Sequence, residues 1–96
     1  MHVMLIITFE IKKEKLQSFM KIIQNVKQQL PQVDGCQDVN IMKIHDNPNT
    51  ITFIETWESI EKHQNHIKKV VDSGDWEYIY SHLLKEPKSA YYSKII

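Results

Sequence analysis

The sequence contains no arginine, and its basic residues are all lysines. The twelve lysines are balanced by twelve acidic residues, so the formal net charge is zero. Nucleic-acid binding usually requires a surplus of basic residues and the forked donors of arginine, which also form the common clamp for phosphate and carboxylate groups. We therefore expect no nucleic-acid partner.

The sequence is also poor in cysteine and has no long apolar segment. Cys36 is the single cysteine, so no internal disulfide is possible, which fits a reducing compartment. No apolar run reaches the roughly 20 residues that span a bilayer. At the N-terminus the apolar residues precede the charged ones, the reverse of a signal peptide. We expect a cytoplasmic protein without a membrane partner, and the 96 residues predict a single domain, 1–96.

Four segments have the composition of β-strands, with many β-branched and aromatic residues. They are residues 3–11, 36–45, 51–57 and 89–96. The DNPN sequence at 46–49 is a compact turn signal, so the second and third strands should form an antiparallel hairpin. In the first strand, apolar side chains occupy both faces, which predicts that both faces are covered.

Two helical regions separate these strands. Apolar residues recur at steps of three and four between Leu16 and Leu30, and Pro31 ends that helix. Ser59 is the predicted N-cap of the second region, which Gly74 divides into two helices. The order β-α-β-β-α-β predicts an α+β, ferredoxin-like fold with a four-stranded antiparallel sheet. Because helices cover one face only, we expect the other face to be covered in a homodimer.

The stretch from the third strand into the second helical region resembles a known family. The sequence IETWESI at 54–60, followed by His66 nine residues after Trp57, is similar to the antibiotic biosynthesis monooxygenase domain. The sequence DGC at 34–36 resembles the turn that opens the second strand of that family, and the similarity is closest to its quinol monooxygenase group.

The resemblance implies a dimeric α+β barrel with a pocket between sheet and helices. It also implies a monooxygenase that oxidises a small aromatic or quinol substrate with molecular oxygen, without flavin or metal. Some polyketide-oxidising members carry an Asn four residues before the Trp and a Tyr six residues after it; here those positions hold Phe53 and His63. The hydrogen-bonding set of those enzymes is therefore not reproduced.

Four residues are the candidate site. The resemblance implies that His66 is the base that deprotonates the substrate, with His63 as the second candidate. Phe53 and Trp57 would flank the substrate ring. Three of them also have a structural interpretation, because Trp57 and His63 fit a packed core and His66 fits a surface or half-buried position at the margin of the helix stripe. Glu55 lies on the same strand face as Phe53 and Trp57, and a carboxylate there needs a partner or water.

The remaining alternatives concern metals and ligands. His63 and His66 are three residues apart and could share a helix face, but no carboxylate or third ligand accompanies them, so we expect no metal. The resemblance implies that no cofactor is needed. Cys36 has no evident base partner and is expected to be a packing residue. A non-catalytic dimeric module that binds a small apolar ligand remains the alternative function. Haem binding or degradation is disfavoured, because the Asn and His that the haem-degrading subgroup carries are missing.

Overall fold

The computed structural model describes residues 2–96, which form a four-stranded sheet and three α-helices. The strands are β1 (Val3–Glu10), β2 (Cys36–Ile44), β3 (Asn47–Trp57) and β4 (Lys88–Tyr92), and the helices are α1 (Leu16–Gln29), α2 (Ile60–Asp72) and α3 (Asp75–Tyr80). All neighbouring strands are antiparallel, in the order β2-β3-β1-β4. The ferredoxin-like α+β prediction is confirmed.

The helix-facing side of the sheet carries the core. Odd-numbered residues of β1 and β3 face the helices. Trp57 of β3 and Val39 of β2 are completely buried in one cluster, and Phe19 of α1 and Ile11, just after β1, are completely buried in another. Each fully buried large apolar side chain contributes about 1.5–3 kcal/mol relative to exposure. The two clusters lie at opposite ends of the sheet.

The opposite side of the sheet is open. Its centre is the directly paired Ile6 and Ile54, both partly buried. Thr8 and Thr52 form the next row, with their hydroxyl oxygens 3.1 Å apart, and Thr56 lies on the other side of Ile54. Threonines thus interrupt the apolar residues of the open face, which also include the exposed Met4, Met42 and Tyr92.

The hairpin between β2 and β3 differs from the prediction. The turn consists of His45 and Asp46, and β3 already begins at Asn47 rather than after the DNPN sequence. The pairing register shifts between Lys43 and Ile44, so Pro48 lies beside an irregularity of the ladder. A proline is tolerated there because its missing N–H breaks no regular ladder bond.

The last strand is shorter than predicted. It ends at Tyr92, which pairs with Met4 near the beginning of β1, so the remaining residues 93–96 have almost no partner strand to pair with. Their apolar composition led to the prediction of a strand over 89–96. An apolar pattern does not show whether a neighbouring strand is present, and that decides where β4 ends.

The predicted start of α2 is confirmed. Ser59 has extended backbone angles, and its hydroxyl oxygen accepts a hydrogen bond from the backbone N–H of Lys62 at 3.1 Å. The bond satisfies one of the four N–H groups that a helix leaves free at its N-terminus. Gly74 has a φ of 87° and separates α2 from α3, as predicted. The N-cap fixes where the helix that carries both candidate histidines begins.

Candidate functional site

An open cavity of about 810 Å³ lies between the helix-facing side of the sheet and all three α-helices. Its walls are mainly apolar, and Leu5, Ile7 and Phe53 form the sheet side. Glu55, His63 and His66 also line it. The structure thus brings together three of the four candidate residues at one cavity wall and adds a carboxyl group beside them.

Trp57 lies behind this wall rather than on it. Its side chain is completely buried, and it is not among the residues that line the cavity. The indole is 5.1 Å from the His63 ring and 5.5 Å from the His66 ring, between centroids. It is therefore the common packing surface of the two histidines and holds both imidazoles in place.

Glu55 is the polar group that the sequence singled out without assigning a role. It is 6% exposed, and its Oε1 accepts a hydrogen bond from the Trp57 indole N–H at 2.8 Å. Burial raises the pKa of the Glu55 carboxyl above its usual value, and the Trp57 bond offsets this only in part. The partner that Glu55 was expected to need is thus the uncharged indole N–H of Trp57, two residues further along β3.

His63 is buried and hydrogen-bonded, as its position on the apolar stripe of α2 predicted. Its Nδ1 lies 2.6 Å from the hydroxyl oxygen of Tyr91, which β4 supplies. Burial lowers the pKa of His63 to about 4, and the neighbouring His66 adds to the effect. Burial also raises the pKa of Tyr91. Near pH 7 the pair is therefore a neutral imidazole and a neutral phenol.

His66 is half-buried and lies one turn further along α2. Its ring makes no hydrogen bond to any group of residues 2–96, so its nitrogens are available to a molecule in the cavity. Burial lowers the pKa of His66, and the charge of Lys69 lowers it further. A neutral imidazole with a free nitrogen can accept a proton from a bound ligand.

A third histidine, His82, lies near the other end of the cavity but is fully engaged. It is buried, its Nε2 is 2.8 Å from the Ser18 hydroxyl, and its Nδ1 is 2.8 Å from the carbonyl oxygen of Tyr78. A carbonyl can only accept, so Nδ1 carries the proton and Nε2 accepts from Ser18. Both nitrogens are satisfied, and the residue ties α1 to the end of α3.

Metal ligation receives no support from the side-chain geometry. Within residues 2–96, no group of three or more histidine, cysteine, aspartate or glutamate side chains is placed to hold a metal ion. Cys36 is buried in the core, and this burial raises the pKa of its thiol to about 11. A thiol in that state is a poor nucleophile, which agrees with the packing role predicted for it.

Sequence reasoning gave no site role to Glu55, which lines the cavity, or to Tyr91, which contacts His63. Glu55 gave a signal, since an acidic residue occupies an otherwise apolar strand face. Tyr91 gave none, because its contact with His63 joins positions 28 residues apart on different elements. Over residues 2–96, no helix is both long and apolar enough to cross a bilayer.

Comparison with known proteins shows both the fold and the family. A family model described as antibiotic biosynthesis monooxygenase matches residues 2–69. No curated protein matches the chain. The structure of a conserved protein from Methanosarcina mazei Go1 is similar at a TM-score of 0.86 and 22% identity, covering 97% of this chain and 92% of the other.

Two further structures have the same fold. One is described as an antibiotic biosynthesis monooxygenase, with a TM-score of 0.87, 15% identity and coverage of 98% and 99% of the two chains. The other is a variant of SnoaB from Streptomyces nogalater, described as a cofactor-independent oxygenase, with a TM-score of 0.83 and 8% identity over 99% and 94%. At these identities the structural similarities establish the fold alone.

Proposed function

Since the chain belongs to the antibiotic biosynthesis monooxygenase family, we propose that it is a cofactor-independent monooxygenase that oxidises a small aromatic or quinol substrate with molecular oxygen. One observation carries the proposal. A mainly apolar cavity of about 810 Å³ is lined by Glu55, His63 and His66, three titratable groups that all contact Trp57. Apolar walls suit an aromatic ring, and a few convergent polar groups would orient it.

His66 is the proposed base. Oxidation of a phenol by oxygen begins with loss of the phenolic proton, because the phenolate gives up an electron more readily than the phenol. His66 lines the cavity, has no protein partner among residues 2–96, and has a lowered pKa that keeps it unprotonated near pH 7. It can therefore take the proton directly.

His63 is the weaker candidate for the base. Its Nδ1 is engaged by Tyr91, and its pKa of about 4 makes it a poorer proton acceptor than an ordinary imidazole. We assign it the role of orienting the substrate from the cavity wall. Phe53 would contact the substrate ring from the sheet, whereas Trp57 would act from behind the wall by fixing Glu55 and the two imidazoles.

The test compares oxygen consumption with a reduced quinol, such as menadiol, against its autoxidation rate. Wild type should exceed the blank, and His66→Ala should lower the excess by about 100-fold, the usual effect of losing a general base. His45→Ala is the matched control, because His45 lies in the exposed β2–β3 turn. Equal rates for wild type, His66→Ala and the blank across a panel of quinols would remove the basis of the enzymatic proposal.

The second candidate function is a non-catalytic module that binds a small apolar ligand. The specific observation in its favour is the apolar part of the helical wall, where Ile67, Val70 and Val71 of α2 and Ile79 of α3 line the cavity. Saturable binding of menadione with no oxygen consumption would favour this function. A Soret band on adding hemin that disappears in His66→Ala would instead indicate haem as the ligand.

A further inference from the structure

The Glu55 carboxyl group has one oxygen that no protein group uses. Oε1 accepts the Trp57 N–H, and no group in residues 2–96 bonds to Oε2. Among those residues every fully buried side-chain oxygen has a hydrogen-bond partner, so the unpartnered Oε2 is not fully buried. Because Glu55 lines the cavity, its unpartnered Oε2 is the atom that reaches it. A polar atom is thus directed at the space that a ligand would occupy.

Within residues 2–96, no lysine or histidine forms an ion pair with Glu55. The ion pairs within residues 2–96 join His45 to Asp46, Lys62 to Asp34 and Lys85 to Glu10, and none includes Glu55. Cys36 and Tyr91 are close enough to Glu55 to sense its charge, and His63 and His66 line the same cavity; all four are neutral near pH 7. The other titratable side chains that line the cavity are Lys21, Asp75, Tyr78 and Glu86, and none of them forms an ion pair with Glu55. A lone buried carboxylate is costly, so the protonated form is favoured.

We propose that Glu55 is held as a neutral carboxylic acid that donates a hydrogen bond from Oε2 to an oxygen of the bound ligand and serves as the general acid of the oxygenation. The catalytic part rests on the proposed function, whereas the hydrogen bond to a ligand does not. A neutral carboxyl beside a neutral base gives the cavity wall an acid and a base at the same pH.

The assigned step balances as follows. His66 removes the phenolic proton, and the anion passes one electron to oxygen. The two radicals then join in a carbon–oxygen bond, and the terminal oxygen of the resulting peroxide takes the proton from His66. In the resulting hydroperoxide the O–O bond breaks, and Glu55 gives its proton to the distal oxygen, which leaves as water. The C–H proton at the same carbon passes to His66 and then restores Glu55. The substrate gains one oxygen atom and loses two hydrogens, and one water forms.

Glu55→Gln is the decisive variant. The Gln carbonyl can still accept from Trp57, so the packing is kept, but the side chain has no proton to transfer. In steady-state turnover with menadiol we expect product formation to fall by about 100-fold. We also expect hydrogen peroxide to account for a larger fraction of the oxygen consumed, because the O–O bond is no longer cleaved. Glu61→Gln, at an exposed position of α2, is the control.

A second measurement addresses the hydrogen bond without any turnover. Infrared difference spectra at pH 7 should show the C=O band of a protonated carboxylic acid in wild type, and the band should shift when menadione binds. Trp57→Phe removes the N–H that donates to Glu55 and should move the same band. This shift assigns the band to Glu55 even if Glu55→Gln fails to fold. Absence of a protonated carboxyl band, or a band unaffected by menadione, overturns the inference.

The two proposals fail in different ways. If wild type consumes no oxygen above the blank, the proposed monooxygenase function fails, and the ligand-sensitive infrared band still decides the state of Glu55. If wild type is active and Glu55→Gln keeps the full rate without extra hydrogen peroxide, the acid role of Glu55 is wrong while the monooxygenase function stands.

Discussion

At the scale of single residues, the candidate site is a set of buried groups that share one packing surface. Trp57 contacts both imidazoles and donates to Glu55, so one indole fixes the positions of a carboxyl and two rings. Burial shifts each titratable group toward its neutral form. The wall can therefore hold acid and base functions without a permanent charge.

The pKa of His63 makes stability depend on pH. The folded value is about 4 and the ordinary value is 6.5, so between these values the unfolded chain takes up a proton that the folded chain does not. The free energy of unfolding should therefore fall as pH drops from 6.5 toward 4. Each pH unit of this window accounts for about 1.4 kcal/mol, so the total reaches about 3 kcal/mol.

Urea unfolding of wild type and His63→Gln, at a fixed protein concentration, measures this contribution. His66 has the same sign, whereas Glu55, with its raised pKa, has the opposite sign and favours the folded state as pH falls. Both are present in the two proteins, so the difference between them reports His63 together with its coupling to His66. A difference that does not change between pH 7 and pH 4 would contradict the assignment of a buried, neutral imidazole.

At the scale of elements, two local devices set where α2 begins and how it meets β2. The first is the Ser59 cap. The second is the turn at Gly35, where φ is 90° and the carbonyl oxygen accepts from the Glu58 N–H at 2.8 Å. Lys62 of α2 packs over Gly35 and forms a 2.6 Å ion pair with Asp34. The turn before β2 is thus fitted to the first turn of the helix that carries the histidines.

Ser59→Ala should lower the free energy of unfolding by about 1 kcal/mol, since the Lys62 N–H loses its acceptor. Ser59→Thr keeps the hydroxyl oxygen and serves as the control, with a change of only a few tenths of a kcal/mol expected. Chemical denaturation monitored by the intrinsic tryptophan fluorescence gives both values. Equal destabilisation by the two substitutions would show that the cap bond does not matter.

Gly35→Ala should be more damaging than Gly74→Ala, although both glycines have a φ near 90°. An added Cβ at Gly35 would lie 2.5 Å from the Lys62 Cβ, whereas at Gly74 nothing lies within 4 Å. Both variants carry the left-handed backbone cost of about 1–2 kcal/mol. Only Gly35→Ala adds overpacking, of about 1–3 kcal/mol. Comparable losses in denaturant titrations of the two variants would contradict the close approach of Lys62.

At the scale of the whole molecule, the sheet separates two environments. One side faces the helices and the cavity, and the other presents Ile6 and Ile54 with threonines around them. We propose that a second copy of the chain covers this open face, as the sequence pattern and the family resemblance imply. The cavity lies on the helix side, so such a dimer would leave it accessible.

Light scattering at micromolar concentration should therefore give twice the mass of one chain. Ile54→Lys places a charge at the centre of the open face and should shift the protein to the monomer, because a buried unpaired ammonium is costly. Asn65→Lys, at an exposed position of α2, should leave the mass unchanged. A wild-type protein that remains a monomer would exclude this dimer.

The amino-acid sequence alone determined the order of elements, the fold class and the beginning of α2. Each of these depends on local features, namely apolar periodicity, the Ser59 cap and the break at Gly74, which neighbouring residues specify. The family resemblance, and for His63 its place on the apolar stripe of α2, also led to Phe53, His63 and His66, which all line the cavity. It placed the β2–β3 turn and the end of β4 wrongly, because those limits depend on strand pairing.

Only the tertiary structure decided how the candidate residues are used. It placed Trp57 behind the cavity wall, gave Glu55 its indole donor, and paired His63 with Tyr91 of β4. The physical reason is that periodicity reports which face of an element is buried. It does not report which atom of another element lies opposite, and the hydrogen bonds and pKa shifts of a buried wall depend on those atoms.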